Sequence, residues 1–281
     1  MVSSIQDDIR QTIWNSSFYR DVEIEPISRI VPAIGSGIDK RELELIGSYI
    51  HKGEVKSVIE GIRPTATMHV KSNRLMEDLD MIASNGLYFL PILKCKPVSG
   101  FAHRFYDPEP GKPMDVFGVV ARNLSRAKLF RKAFYKDDHR TVGRLLGYPD
   151  CCIDFFCRTW GANPRIIDPY LQYAINGDYK IVDSNTIEIS GLPETNMMLR
   201  YFNIRTAPHI YCKPNCKGTI DISEQFKDLI PKSQWHDLIT ILDQDMEWNN
   251  LKGMVEIHAN GFIGIANSTA YIDKKVIRWV S

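Results

Sequence analysis

The sequence predicts an α+β fold, with an N-terminal α/β region built on a small sheet and a C-terminal mixed region of short helices and a closing antiparallel hairpin. Two observations carry this expectation. Compact apolar runs alternate with helix-period segments through the first half of the chain. Near the other end, an Asn260-Gly261 dipeptide separates two further apolar runs.

Taken in order, Asp39 can cap a helix in which Leu43, Ile46 and Ile50 share a face, and Ser72 can cap a second carrying Leu75, Leu79 and Ile82. Asn85-Gly86 supplies a helix stop. Leu87–Leu90 and Val116–Val120 read as buried strands, with Val55–Ile62 a weaker third. Pro108, Pro110 and Pro113 place a loop between the two clear strands. Leu124, Phe130 and Phe134 mark a helix after the second, so residues 1–137 form an α/β region whose small sheet is covered on one face. Residues 138–281 form the mixed, cysteine-containing region. There Val255–Ile257 and Phe262–Ile265 flank Asn260-Gly261, which suits the positive backbone angles of a tight hairpin turn.

Composition narrows the function classes. The 281 residues are 44% hydrophobic, enough for a core that needs no external staple. Lys+Arg 35 against Asp+Glu 34 leaves a formal net charge of +1, so any attraction to nucleic acid or an acidic surface must be local. The first residues lack a basic stretch followed by an apolar one, and the longest apolar run, Leu87–Leu93, is broken by Pro91 and too short to span a bilayer. The expectation is a cytoplasmic protein without a membrane segment, with no oligomeric state implied. Cys95, Cys151, Cys152, Cys157, Cys212 and Cys216 are too unevenly spaced for a disulfide scaffold, which directs attention to metal or thiol chemistry.

Two cysteine segments stand out. In the first, Gly147 can end one helix, Pro149 prevents its continuation, and Asp150 can cap a new helix starting at Cys151 and Cys152. Unpaired amides and the helix dipole at that position favour thiolates, the form that ligates metal or attacks an electrophile. Neighbouring residues on a regular helix diverge by about 100°, so both sulfurs reach one ion only if the turn is irregular. In the second, Pro208 and Pro214 stiffen the stretch holding His209, Cys212 and Cys216. Together Cys151, Cys152, His209, Cys212 and Cys216 form a candidate metal set, suited to zinc or an iron-sulfur cluster. Cys-x-x-x-Cys also resembles the opening of a radical S-adenosylmethionine motif, but residue 219 is Thr where that motif places its third cysteine. Core packing is the competing reading for each residue singly, and Cys95 and Cys157 are assigned to the core.

Gly147-Tyr148-Pro149-Asp150-Cys151-Cys152 with Phe155 or Phe156, then Leu199-Arg200-Tyr201-Phe202 with His209, Cys212 and Cys216, then Trp248, Leu251-Lys252-Gly253 and Glu256, resemble an uncharacterised prokaryotic domain-of-unknown-function family over the C-terminal half. In that family the histidine segment typically reads His-x-Pro-Cys-x-x-x-Cys followed by serine. Here Tyr211 precedes Cys212, and Lys217-Gly218 follow Cys216. The resemblance implies that these residues act as one unit and carries no activity with it.

Arg122, Arg126, Lys132 and Lys136, with Arg131 and Arg140 nearby, form the densest basic segment and a candidate anion-binding face for phosphate or nucleic acid. An ordinary solvated helix face competes with that reading. Gly35-Ser36-Gly37 reads as a turn, His103 and Arg104 lead into an acidic loop, and His139, Asp154 and Glu256 are available as acid or base partners. Two functions follow. One is a metal-dependent or thiol-dependent enzyme acting on a small, nucleotide-like or other anionic substrate. The other is a non-catalytic protein with a structural zinc site and a basic helix that binds a partner or nucleic acid. A redox-active Cys151 or Cys152 without metal is a third.

Overall fold

A computed structural model describes residues 27–33, 40–97, 107–161, 169–181, 186–200, 203–243, 246–249, 254–257, 261–268 and 276–280. Asp39, Gly35-Ser36-Gly37, His103, Arg104, Tyr201, Phe202, Leu251-Lys252-Gly253 and Asn260 lie outside them. Helices and strands mix throughout, as the sequence predicts, and the strands form two sheets of seven and three.

Helix α1 (Lys40–Ile59) buries Ile46 and Ile50 as expected, then continues through the stretch expected to be a weak strand. Val55 and Val58 are three residues apart and both buried, so a helical face satisfies them in spite of their β-branching. The first strand of the small sheet is instead β2 (Thr65–Lys71), whose Ala66, Met68 and Val70 point inward between mostly polar neighbours. A 3-10 turn over Ser72–Arg74 displaces the expected Ser72 cap, and α2 (Leu75–Ser84) begins after it without a side-chain cap. The helix stops at Asn85 and Gly86, as predicted.

Strands β3 (Tyr88–Cys95) and β4 (Asp115–Ala121) complete an antiparallel sheet in the order β2-β4-β3. Pro91 sits on the edge strand beside a register shift, where a missing donor costs no ladder bond. Helix α3 (Leu124–Phe134) is capped by the Asn123 side chain and buries Ala127, Phe130 and Ala133. The sheet is covered on both faces rather than one: α1 and α2 pack on one side, while α3 and Leu146 pack on the other. Because α1 also sends Ile46 and Ile50 into the largest core, it ties that core to the small sheet.

The remaining helices are α4 (His139–Leu145), α5 (Asp150–Phe156), α6 (Pro169–Ile175), α7 (Lys217–Lys227) and α8 (Lys232–Leu242). The large sheet joins β1 (Ile27–Ala33), β5 (Tyr179–Ile181), β6 (Thr186–Ser190), β7 (Met246–Asn249), β8 (Met254–Ile257), β9 (Gly261–Ser268) and β10 (Val276–Val280) in the order β5-β6-β10-β7-β8-β1-β9. Its closing antiparallel hairpin is β7–β8. The runs around Asn260-Gly261 are strands as expected, but they do not pair with each other. Ile257 and Gly261 flank Ala33 from opposite sides, because β1 inserts between β8 and β9. That pairing comes from more than 200 residues away in the chain, beyond the reach of local turn chemistry. Among the described residues no helix is long and apolar enough to cross a membrane.

Candidate metal centre

Two turns build the centre. Helix α4 ends in Gly147 at φ +72, a left-handed conformation that costs glycine little, and the chain reverses through Tyr148 and Pro149 into α5. Pro149, rather than Asp150, occupies the N-cap position. Asp150 is the first helical residue, and its carboxylate accepts a hydrogen bond from Arg144 Nε at 3.1 Å. The Pro149 carbonyl accepts from both Cys152 N and Ile153 N at 2.9 Å, which tightens the first turn. This is the irregularity that two adjacent sulfurs require, and Cys151 Sγ and Cys152 Sγ lie 3.9 Å apart.

The second turn runs from Cys212 to Cys216. Asn215 adopts φ +57, its side chain accepts from Leu192 N at 2.8 Å, and its own N–H donates to Thr195 Oγ1 at 3.1 Å. Asn176 Nδ2 holds the Cys212 carbonyl at 3.0 Å. Cys216 then occupies the N-cap position of α7, which places its thiol at the positive end of that helix. Gly218 lets α7 approach the first turn. A Cβ there would lie 2.7 Å from Pro149 Cβ and 2.8 Å from Pro149 Cγ.

The result is a four-sulfur cluster. Cys216 Sγ is 3.7 Å from both Cys151 Sγ and Cys152 Sγ, and with Cys212 all four sulfurs lie within 4.8 Å of one another. Such a group can hold a metal ion. Cys152, Cys212 and Cys216 are buried, while Cys151 is exposed at the rim. Without a cation, four thiols this close cannot all ionise. Hydrogen bonds from Cys152 and Cys212, with help from Thr219, hold the Cys216 thiol far below its ordinary range, whereas Cys152 is driven strongly upward by its bonds to Cys212 and Cys216 and by burial. A divalent cation removes that constraint, since all four can then be thiolates.

His209 is set back from the sulfurs. Its Nε2 lies 3.0 Å from Thr219 Oγ1, and Thr219 Oγ1 lies 3.7 Å from Cys152 Sγ, so Thr219 stands between the imidazole and the cluster. The expected five-residue set is thus four sulfurs with a histidine behind them. Burial, followed by the Arg200 guanidinium, pushes His209 down to about 3, which keeps it neutral near pH 7. Arg200 donates to the carbonyls of His209 and Pro208, fixing the loop segment that carries the imidazole.

The other candidates divide. Arg122 is occupied structurally, its Nε donating to the Val58 carbonyl at 2.8 Å. Arg126, Lys132 and Lys136 are exposed on or just beyond α3, together with Lys128. Asp154 pairs with Arg140, and His139 lies edge-on to Phe156, so neither belongs to the sulfur cluster. Glu256 and Trp248 lie on β8 and β7. Cys95 is buried in the core beneath the small sheet, and Cys157 lies in the π-helical turn after α5.

Sequence reasoning missed Thr219 as a contact and missed the buried charges beside His209. Arg63, Arg200 and Arg205 are all buried, and Arg205 Nη2 meets Glu54 Oε1 at 2.6 Å. The available signal was the pair Arg200 and Arg205, both shortly before His209 in a stretch rich in apolar residues. Comparison with protein-family models, curated proteins and solved structures finds no match for this chain.

Proposed function

We propose that the four cysteines hold one zinc ion in a closed tetrathiolate centre whose role is structural. The supporting observation is the mutual spacing of the sulfurs. A tetrahedral ion with Zn–S bonds of about 2.3 Å places its sulfurs about 3.8 Å apart; the separations among Cys151, Cys152 and Cys216 are 3.7, 3.7 and 3.9 Å, and Cys212 lies within 4.8 Å of each. An iron-sulfur cluster distributes its thiolates over several irons, which favours a wider spread than a group contained within 4.8 Å. Four protein ligands leave no open position for substrate or water, so this reading favours a scaffold over a metal-dependent enzyme. The ion would clamp the α4–α5 turn to the start of α7. Free thiolates of this kind suit a reducing compartment such as the cytoplasm.

Metal analysis and absorbance of anaerobically purified protein test the assignment. One zinc per chain is expected, and cobalt substitution should give the intense visible bands of a tetrahedral thiolate site. Iron, with or without sulfide, overturns it. Absence of any metal together with rapid alkylation of Cys151 or Cys152 favours the thiol-dependent reading instead.

A specific observation favours a binding function beside this scaffold. Helix α3 contains no acidic residue, and Arg126, Lys128, Lys132 and Lys136 are exposed with no ion pair among the described residues. Lys128 and Lys132 lie four residues apart, about 6 Å along the helix axis, a spacing that suits successive phosphates, and Lys136 follows in the turn just beyond the helix. Nucleic acid is the partner this face fits. Binding measured by fluorescence anisotropy should weaken with salt, and Lys128→Glu with Lys132→Glu should abolish it. Unchanged affinity in that double variant removes the proposal.

A further inference from the structure

We infer that Arg63, Arg205 and His209 form a buried binding site for a phosphate group, behind the sulfur cluster and separate from the α3 face. Arg63 Nη1 and Nη2, Arg205 Nε and His209 Nδ1 are all buried and have no hydrogen-bond partner among the described residues. Each parent side chain is more than nine-tenths buried. Buried polar groups in folded proteins are nearly always satisfied, and orphaned guanidinium donors are especially unfavourable because they carry charge.

These groups share one locality. The Arg63 guanidinium carbon lies 5.4 Å from the Tyr148 ring centroid, and that ring lies 5.4 Å from the His209 ring. Arg63 Nε is anchored to the Leu146 carbonyl at 2.7 Å, and Phe226 flanks the guanidinium at 5.9 Å, so the two Nη groups are held in place. Arg205 is fixed by Glu54 and by Asn203 Oδ1 at 2.8 Å, which leaves Nε as its one nitrogen without a partner among the described residues. All three arginines act electrostatically on His209.

Charge points to the ligand class. Arg63 and Arg205 are opposed by Glu54, and Asp115, the other buried carboxylate among the described residues, lies on the small sheet beside His69. A dianionic tetrahedral phosphate supplies the missing negative charge and accepts several hydrogen bonds from forked guanidinium donors. A carboxylate offers fewer acceptors and a single charge. Tyr148, whose ring lies beside both Arg63 and His209, is only partly buried.

Binding of inorganic phosphate and of adenosine monophosphate to the metal-loaded full chain tests this, by calorimetry and by thermal shift at constant ionic strength. Saturable binding with a raised midpoint is expected for at least one of them. Tighter binding of the nucleotide would identify the phosphate as part of a larger ligand. Arg63→Met should weaken binding at least tenfold, and Arg63→Lys should recover part of it, with circular dichroism and metal content confirming that each variant folds. Lys128→Glu with Lys132→Glu should leave it unchanged. No binding of either probe to the wild-type protein overturns the proposal, because water alone then occupies the donors. Equal binding by a folded Arg63→Met variant also overturns it.

Discussion

Gly218 and Pro149 pack so tightly that a single methyl on Gly218 would fall 2.7 Å from Pro149 Cβ. This contact joins two cysteine turns lying more than sixty residues apart in sequence, and the same imagined methyl would sit 3.9 Å from Cys151 Sγ. Gly218→Ala should therefore push α7 away from the α4–α5 turn. Overpacking of this kind costs about 1–3 kcal/mol, and it acts where the sulfurs must stay in register. The expected outcome is a lower unfolding midpoint together with faster zinc loss to a chelator. Wild-type release kinetics in the variant would show that the contact does not set the sulfur geometry.

Thr219 offers a second handle. Its hydroxyl contacts His209 Nε2 and the Cys152 sulfur, so Thr219→Val keeps the shape of the side chain and removes both polar contacts. His209 then has neither ring nitrogen paired, since Nδ1 already lacks a partner. Leaving such a group unsatisfied costs about 1–3 kcal/mol. Losing an outer partner of a metal ligand typically weakens metal binding about 10- to 100-fold. Thr219→Ser should restore most of both quantities. Competition titration against a chelator reads the affinity, and equal affinities for all three proteins would confine Thr219 to packing.

The same residue shows how far the sequence could be read. Thr219 disqualifies a third cysteine in a radical motif, yet nothing local indicates that it spaces a histidine from a sulfur. The four cysteines were legible because thiols paired with turn residues leave a short-range signature: Gly147 and Pro149 do in the structure what their chemistry predicts. His209 was equally conspicuous, but whether an imidazole reaches an ion or stops one side chain short depends on packing between α7 and the Pro208 segment. Elements set by local periodicity, such as α3, emerged where expected. Val55–Ile62 became helix instead of strand, and the strands on either side of Asn260-Gly261 formed without pairing with each other, since partners far away in the chain decided the outcome. Buried Arg63 and Arg205 look like ordinary surface charges until Glu54, 151 residues from Arg205, is brought beside them.

His209 should also leave a signature in the pH dependence of stability. Its folded value is about 3 against 6.5 for the free group. The folded protein keeps the ring neutral while the unfolded chain binds a proton, so its contribution is intact above pH 6.5 and is lost progressively as pH falls from 6.5 toward 3. Each pH unit in that window costs about 1.4 kcal/mol for one such group. Protonation of any metal-bound thiolates would overlap this window, so the diagnostic quantity is the difference between wild type and His209→Gln, both metal-free. The wild type should take up one more proton on unfolding near pH 5. Identical proton uptake by the two proteins would mean that His209 ionises freely in the fold.

The Glu54–Arg205 pair makes the last prediction. Burial raises the Glu54 carboxyl, but Arg205, Arg63 and His51 outweigh burial and hold it below its usual range. The carboxylate is therefore ionised in the fold, and its contribution is present above about pH 4.5 and fades as pH drops further. Glu54→Gln preserves shape and removes the charge that faces Arg205 at 2.6 Å. Breaking one side of a buried pair costs about 3–5 kcal/mol, because the remaining charge stays buried without compensation. Here the loss is compounded by Arg63, whose charge is also attracted to this carboxylate without hydrogen bonding to it. A large fall in the denaturation midpoint is expected, while Glu54→Gln combined with Arg205→Met should recover part of it. If the double variant is no more stable than Glu54→Gln alone, the residual positive charge is already balanced by another group, and the compensation assigned to Glu54 is wrong.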